Sequence, residues 1–150
     1  MIKGVDHVGI SVERLDRAIA FYRDKFGMEL LTEFDFGGEQ FSSVMGLDKA
    51  TGRMAVMRTG TLQLELFEFA TPTPAAKDPN TPVANRGITH FGVQVADIEA
   101  TYAKLVAEGV RFHCPVTTFP SGMKAAYGRD MDGNVFELLE MGPPPATNAT

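Results

Sequence analysis

An α+β fold built from two tandem βαβββ modules is the architecture this sequence predicts, and two observations predict it. The stretch "VDHVGISVERLDRAIAFYRDKFGMEL" lies near the start, and after residue 87 a variant returns as "ITHFGVQVADIEATYAKLVAEGVRF". At one constant offset His7 matches His90, Gly9 matches Gly92, Val12 matches Val95 and Ala20 matches Ala103. The endings agree too. "ELFEF" closes the first copy and "ELLEM" the second, aligning Glu65 with Glu137 and Glu68 with Glu140.

Each element has a local reason. In "VDHVGISV" the residues Val8, Ile10 and Val12 alternate with His7, Gly9 and Ser11, the period of a strand. "ERLDRAIAFYRDKFG" carries Leu15, Ala18, Ile19 and Tyr22 at helical spacing, with Gly27 as its stop. "MELLTEFDF" reads as a second strand. "GGEQFSSVMGLDKATG" reads as a loop leading to strands "RMAVMR" and "TLQLELFEF", which turn around Gly60. The second copy repeats the order. "ITHFGVQV" is a strand, and "DIEATYAKLVAEG" is a helix with Asp97 as N-cap and Gly109 as stop. "VRFHCPV", "KAAYGRD" and "VFELLEM" are strands, the last two joined by an Asp132-Gly133 turn. The modules are expected at 1–70 and 88–141, with a linker rich in Pro and Asn at 71–87 and a disordered, Pro-rich tail at 142–150.

Composition narrows the function. Hydrophobic residues make up 44% and charged residues 22%, as in ordinary globular proteins. A net charge of −5 without a basic run argues against nucleic acid as partner. No apolar run has the ~20 residues of a membrane span, and no signal-peptide pattern opens the chain. One cysteine, Cys114, forbids an internal disulfide and fits a reducing cytoplasm. The triplet at Asn148 is a nominal glycosylation site, read here as a chance match.

His7, His90 and two pairs of glutamates at matching places are the constellation that suggests chemistry. Imidazole and carboxylate together suit a divalent ion such as Zn, Ni, Co, Mn or Fe. Taken alone, a histidine in a strand is usually structural. Here each shares its face with small or polar neighbours, Gly9 and Ser11 or Gly92 and Gln94, as a cleft lining would. Carboxylates among Leu and Phe are costly to bury unless paired or ligated. Residues three apart on a strand face opposite ways. Only one of Glu65 and Glu68, and one of Glu137 and Glu140, can therefore face the cleft, and periodicity does not say which.

"DHVGISVERLDRAIAFYRDKFGMEL", "ITHFGVQVADIEATYAKLVAEGV" and "GRDMDGNVFELLE" resemble the vicinal oxygen chelate superfamily of glyoxalase I, methylmalonyl-CoA epimerase, extradiol dioxygenases and the fosfomycin- and bleomycin-resistance proteins. The resemblance covers about residues 4 to 141. It implies a cupped, partly open mixed β-barrel with helices outside, around one divalent metal. It implies His7, Glu65, His90 and Glu137 as metal ligands, with Glu68 and Glu140 pointing outward as surface charges. Four ligands match glyoxalase I and the epimerase best. The implied activity is that of an isomerase, epimerase or lyase that removes a proton next to a carbonyl and stabilises the enolate or enediolate. Glu137 would double as base, by analogy with glyoxalase I.

Departures from the family bear on the reaction. Glu39 in "GGEQF" is the candidate second acid, in a loop longer than the family's, and a solvated glutamate is the competing reading. The loop at 37–53 is a candidate lid. Met131 replaces a usual Pro, and no residue set for glutathione or coenzyme A stands out. Tyr127, Phe119 and Met123 are candidates for the mouth of the cup or for the core. His113 and Cys114 have no counterparts in the first copy and read as structural. The alternatives are an Fe(II) ring-cleaving dioxygenase and a non-catalytic binder of a drug or metabolite. The substrate expected is a small oxygen-rich carbonyl compound, and the resemblance implies a homodimer.

Overall fold

The structure, a computed structural model, describes residues 1–142. The expectations for residues 143–150, including the Asn148 triplet, lie outside the described residues. Two compact units are present, one spanning Met1–Lys77 and one that begins at Asp78.

The first unit runs β1 (Val8–Ser11), α1 (Leu15–Phe26), β2 (Glu29–Phe36), α2 (Glu39–Met45), β3 (Thr51–Thr59) and β4 (Leu62–Thr71). Its mixed sheet has the order β1-β4-β3-β2, with β1 parallel to β4 and the other pairs antiparallel. The helix α1 packs on β3 and β4 through Leu15, Ala18, Ile19 and Tyr22, meeting a sheet face that buries Met57, Leu64 and Leu66 completely. Each such side chain contributes roughly 1.5–3 kcal/mol by leaving water. Gly27 ends α1 in the left-handed conformation, as expected from the sequence.

One expectation needs correction. The stretch read as a loop holds a helix, α2, between Gly38 and Gly46, both at positive φ. Its Phe41 and Met45 stand one turn apart and pack on buried Phe36, Ala50 and Met54. A helix of seven residues shows too little periodicity to be read from sequence.

The second unit runs β5 (Phe91–Gln94), α3 (Ile98–Ala107), β6 (Arg111–Phe112), β7 (Thr117–Thr118), β8 (Lys124–Arg129) and β9 (Val135–Glu140). Its sheet order is β5-β9-β8-β6, with β7 also on β8 and β5 parallel to β9. "VRFHCPV" was expected as one strand, but the sheet takes two short ones, β6 and β7. Pro115 lies between them and has no N–H for the ladder. Asp97 caps α3 by accepting from the Ala100 N–H at 2.9 Å.

Buried Arg129 organises the far end of this unit. Its guanidinium donates to Pro79 O, Thr81 O and Gly133 O, and its Nε to His113 Nε2 at 2.9 Å. Residues 79–81 are thereby held against the β8–β9 turn. Among the described residues no helix is long and apolar enough to cross a membrane.

Candidate functional site

In each unit, pairing of the first strand with the last assembles one histidine and one glutamate. The β1–β4 register sets Gly9 beside Glu65, and the β5–β9 register sets Gly92 beside Glu137. Glycine leaves room there: a Cβ on Gly92 would lie 3.7 Å from Glu137 Oε2. The histidines sit two residues earlier and lean onto the same face. His7 Nε2 lies 3.2 Å from Glu65 Oε2, and His90 Nε2 lies 3.3 Å from Glu137 Oε2. Both glutamates are largely shielded, with 22% and 18% of their side chains exposed.

The other ring nitrogen is engaged each time by the preceding residue. Asp6 Oδ2 is 3.0 Å from His7 Nδ1, and Thr89 Oγ1 is 2.8 Å from His90 Nδ1. His7 therefore faces a carboxylate on each nitrogen. A neutral imidazole has one N–H to give. When Nδ1–H serves Asp6, the Nε2 lone pair faces a carboxylate, a contact made favourable either by a second ring proton or by a metal ion between them. This donor set fits a divalent metal, with Asp6 and Thr89 orienting the rings. Among the described residues, no three His, Cys, Asp or Glu gather as a metal-holding group.

The remaining glutamates point the other way, toward the helices. Glu68 accepts from the Leu15 N–H at 2.7 Å, and Glu140 from the Ile98 N–H at 2.8 Å. They are helix caps, where the sequence suggested solvated charges. The signal available was Arg14, a poor N-cap, at the head of α1.

Tyr127 stands opposite Glu137 in the β8–β9 ladder. Its Oη is 3.3 Å from His90 Nε2, and the two rings lie 4.6 Å apart. Burial, with the Glu137 charge beside it, raises the phenol above its ordinary value. Sequence reasoning weighed Tyr127 against plain core packing, and the structure sets it against the His–Glu pair. It missed Asp6 and Thr89, although a polar residue precedes the histidine in both copies.

The other candidates fall elsewhere. Glu39 is the exposed first residue of α2. Phe119 is exposed, and its N–H donates to Met123 O in the turn between β7 and β8. Cys114 is a free, exposed thiol 4.0 Å from Thr117 Oγ1. His113 serves as acceptor for Arg129, which agrees with its structural reading.

Comparison with known proteins adds the family context. A family model described as "Glyoxalase/Bleomycin resistance protein/Dioxygenase superfamily" matches residues 4–138. Lactoylglutathione lyase GLX1 of Arabidopsis thaliana is 29% identical over 93% of this chain and 44% of its own length. The 2-epi-5-epi-valiolone epimerase of an Actinomyces species is 35% identical over 71% of this chain and 60% of its own. The chain thus spans about half the length of these curated relatives. A crystal structure of a glyoxalase family protein from Bacillus cereus superposes with a TM-score of 0.86 at 28% identity, covering 95% of this chain and 97% of that one.

Proposed function

The chain belongs to the Glyoxalase/Bleomycin resistance protein/Dioxygenase superfamily, and on that premise we propose that it is a metal-dependent lyase or epimerase acting next to a carbonyl group. The observation that carries this reading is His7, set between two carboxylates at 3.0 and 3.2 Å, with a matching His90–Glu137 pair in the second unit. His7, Glu65, His90 and Glu137 are the residues that would hold one divalent ion. When bound, the ion would supply a positive charge that acidifies the C–H beside the carbonyl.

The chain's own groups do the rest. Glu137 takes the proton from that carbon and returns it to the same or the neighbouring carbon. Gly92 leaves space beside the Glu137 carboxylate for substrate. Support for a lyase or epimerase comes from the names of the relatives at 29% and 35% identity. The reading includes a homodimer in a reducing compartment. It is supported by Leu30, Leu31 and Phe34, exposed on edge strand β2, and by the free thiol of Cys114. Light scattering on the purified chain tests the dimer.

Metal analysis of protein purified without chelator, beside His7→Ala, tests the core of the reading. About one transition ion per chain, lost in the variant, is expected. Absence of metal before and after titration with Ni²⁺, Co²⁺, Zn²⁺ and Mn²⁺ would sink it. Glu137→Gln should keep most metal and lose turnover on hemithioacetal or 2-oxo substrates by more than about 100-fold.

A further inference from the structure

We propose that α2 is a lid, hinged at Gly38 and Gly46, that gates the face of the first sheet on which His7 and Glu65 stand. This rests on the function proposed above and gives its site a moving cover.

A continuous aromatic track joins α2 to that face. Phe67 follows Glu65 by two residues on β4 and so shares its side of the sheet. A Cβ on Gly9, the residue beside Glu65, would lie 3.7 Å from the Phe67 ring. Phe67 meets Phe36 edge-on with centroids 5.9 Å apart, and Phe36 meets Phe41 of α2 at 5.5 Å. Met54, opposite Phe67 in the β3–β4 ladder, belongs to the same cluster. Phe41 and Met45 thus cover the apolar ground next to the glutamate.

The attachment of α2 suits it to motion. Its hydrogen bonds close on the segment itself. Ser42 Oγ donates to Gly38 O and accepts from the Ala50 N–H, both at 2.9 Å, and the Leu47 N–H donates to Ser42 O at 3.0 Å. The grip on the sheet is apolar, through Phe41, Met45 and Leu47, and no residue of α2 is fully buried. A segment held this way opens at a lower free energy than the whole domain. Its two ends are glycines at φ 90° and 65°, where the chain changes conformation most easily.

The internal duplication serves as a control. In the second unit the connection from β6 to β8 carries β7, zipped onto β8 by the pairs Thr117–Ala125 and Thr118–Lys124. A βαβββ unit therefore closes without a helix at this place, and α2 is an addition to the half that carries it.

The test is methionine oxidation by dilute hydrogen peroxide, read at low conversion by peptide mass spectrometry. Met54 and Met57 share β3 and are 5% and 0% exposed, Met54 in the cluster under α2 and Met57 on the opposite face. Lid opening uncovers Met54 alone, which should oxidise at least about tenfold faster than Met57. Phe41→Ala and Gly46→Ala should each raise the Met54 rate about fivefold and leave Met57 unchanged. Zn²⁺ with acetohydroxamate, an anionic ligand with two vicinal oxygens, should slow Met54 at least about threefold by favouring the closed lid. Equal rates for Met54 and Met57 overturn the lid. A fast Met54 that Zn²⁺ and acetohydroxamate leave unchanged overturns the gating, and Zn²⁺ binding seen by calorimetry then leaves the functional reading standing. Failure of wild type to bind Zn²⁺ overturns the functional reading and this proposal together.

Discussion

Glu68 of β4 accepts a hydrogen bond from the backbone N–H of Leu15, the first residue of α1, at 2.7 Å. The cap residue of α1, Arg14, offers no side-chain bond of its own, whereas α3 has Asp97 as well as Glu140. Glu68→Ala is therefore expected to lower stability by about 1–2 kcal/mol, and Glu140→Ala by less. Glu68→Gln, which keeps an acceptor oxygen, should fall between wild type and Glu68→Ala. Urea unfolding of the three variants checks the order, and an equal loss for both alanine variants would refute it.

His113 gives the protein a pH dependence of predictable sign. Burial and the charges of Arg129 and Arg111 hold its ring below the ordinary value of 6.5. Its neutral Nε2 accepts the Arg129 Nε–H, so the folded state resists protonation. As pH falls below 6.5 the unfolded chain takes up the proton first. Stability therefore declines toward the lower folded value and levels off beneath it. His113→Gln keeps an acceptor that cannot titrate and should flatten this part of the stability profile. A profile identical to wild type would remove His113 from the account.

Two glycines at positive φ are expected to respond differently to alanine. Gly133 has φ +78°, and a Cβ there would lie 2.4 Å from Pro79 Cα. Gly60 has φ +53° with nothing within 4 Å. Gly60→Ala should cost about 1 kcal/mol, the backbone term alone. Gly133→Ala should cost at least about 2 kcal/mol more, because Arg129 holds residues 79–81 in place. Thermal melts of both variants decide it, and equal midpoints would mean that residues 79–81 yield freely.

Thr89→Val removes the group bonded to His90 Nδ1. Metal affinity measured by calorimetry with Ni²⁺ should fall about tenfold, since the ring loses the partner that orients it. Glu68→Ala, on the opposite face of its sheet, should leave that affinity unchanged. A chelator should abolish turnover of the wild type, and added Ni²⁺ or Co²⁺ should restore it.

Much of this was legible because the chain says most things twice. The duplicated openings and endings located both sheets, both long helices, the two histidines and the two pairs of glutamates, and the family resemblance implied Glu65 and Glu137 within those pairs. Side-chain alternation alone could not separate Glu65 from Glu68, because Leu64, Leu66, Phe67 and Phe69 make both faces of β4 apolar. Geometry separates them directly, with β1 beside Glu65 and the head of α1 over Glu68. What lacks a second copy was the least readable. Helix α2 is too short to show a period, and the Pro115 break has no counterpart in the first unit. Arg129 reveals its role only through backbone oxygens, which carry no sequence signal.

The two glutamate caps also constrain how each unit folds. Donor and acceptor are 53 residues apart in the first unit and 42 in the second. Each helix is made early, yet its first turn is completed only when the last strand of its unit arrives. The same strand brings the glutamate that faces the histidine. Full capping of the helix and pairing of the histidine thus wait on one long-range closure, which is slow relative to local contacts. A nascent chain that lacks the last strand of a unit can neither complete that unit's capping by glutamate nor pair its histidine.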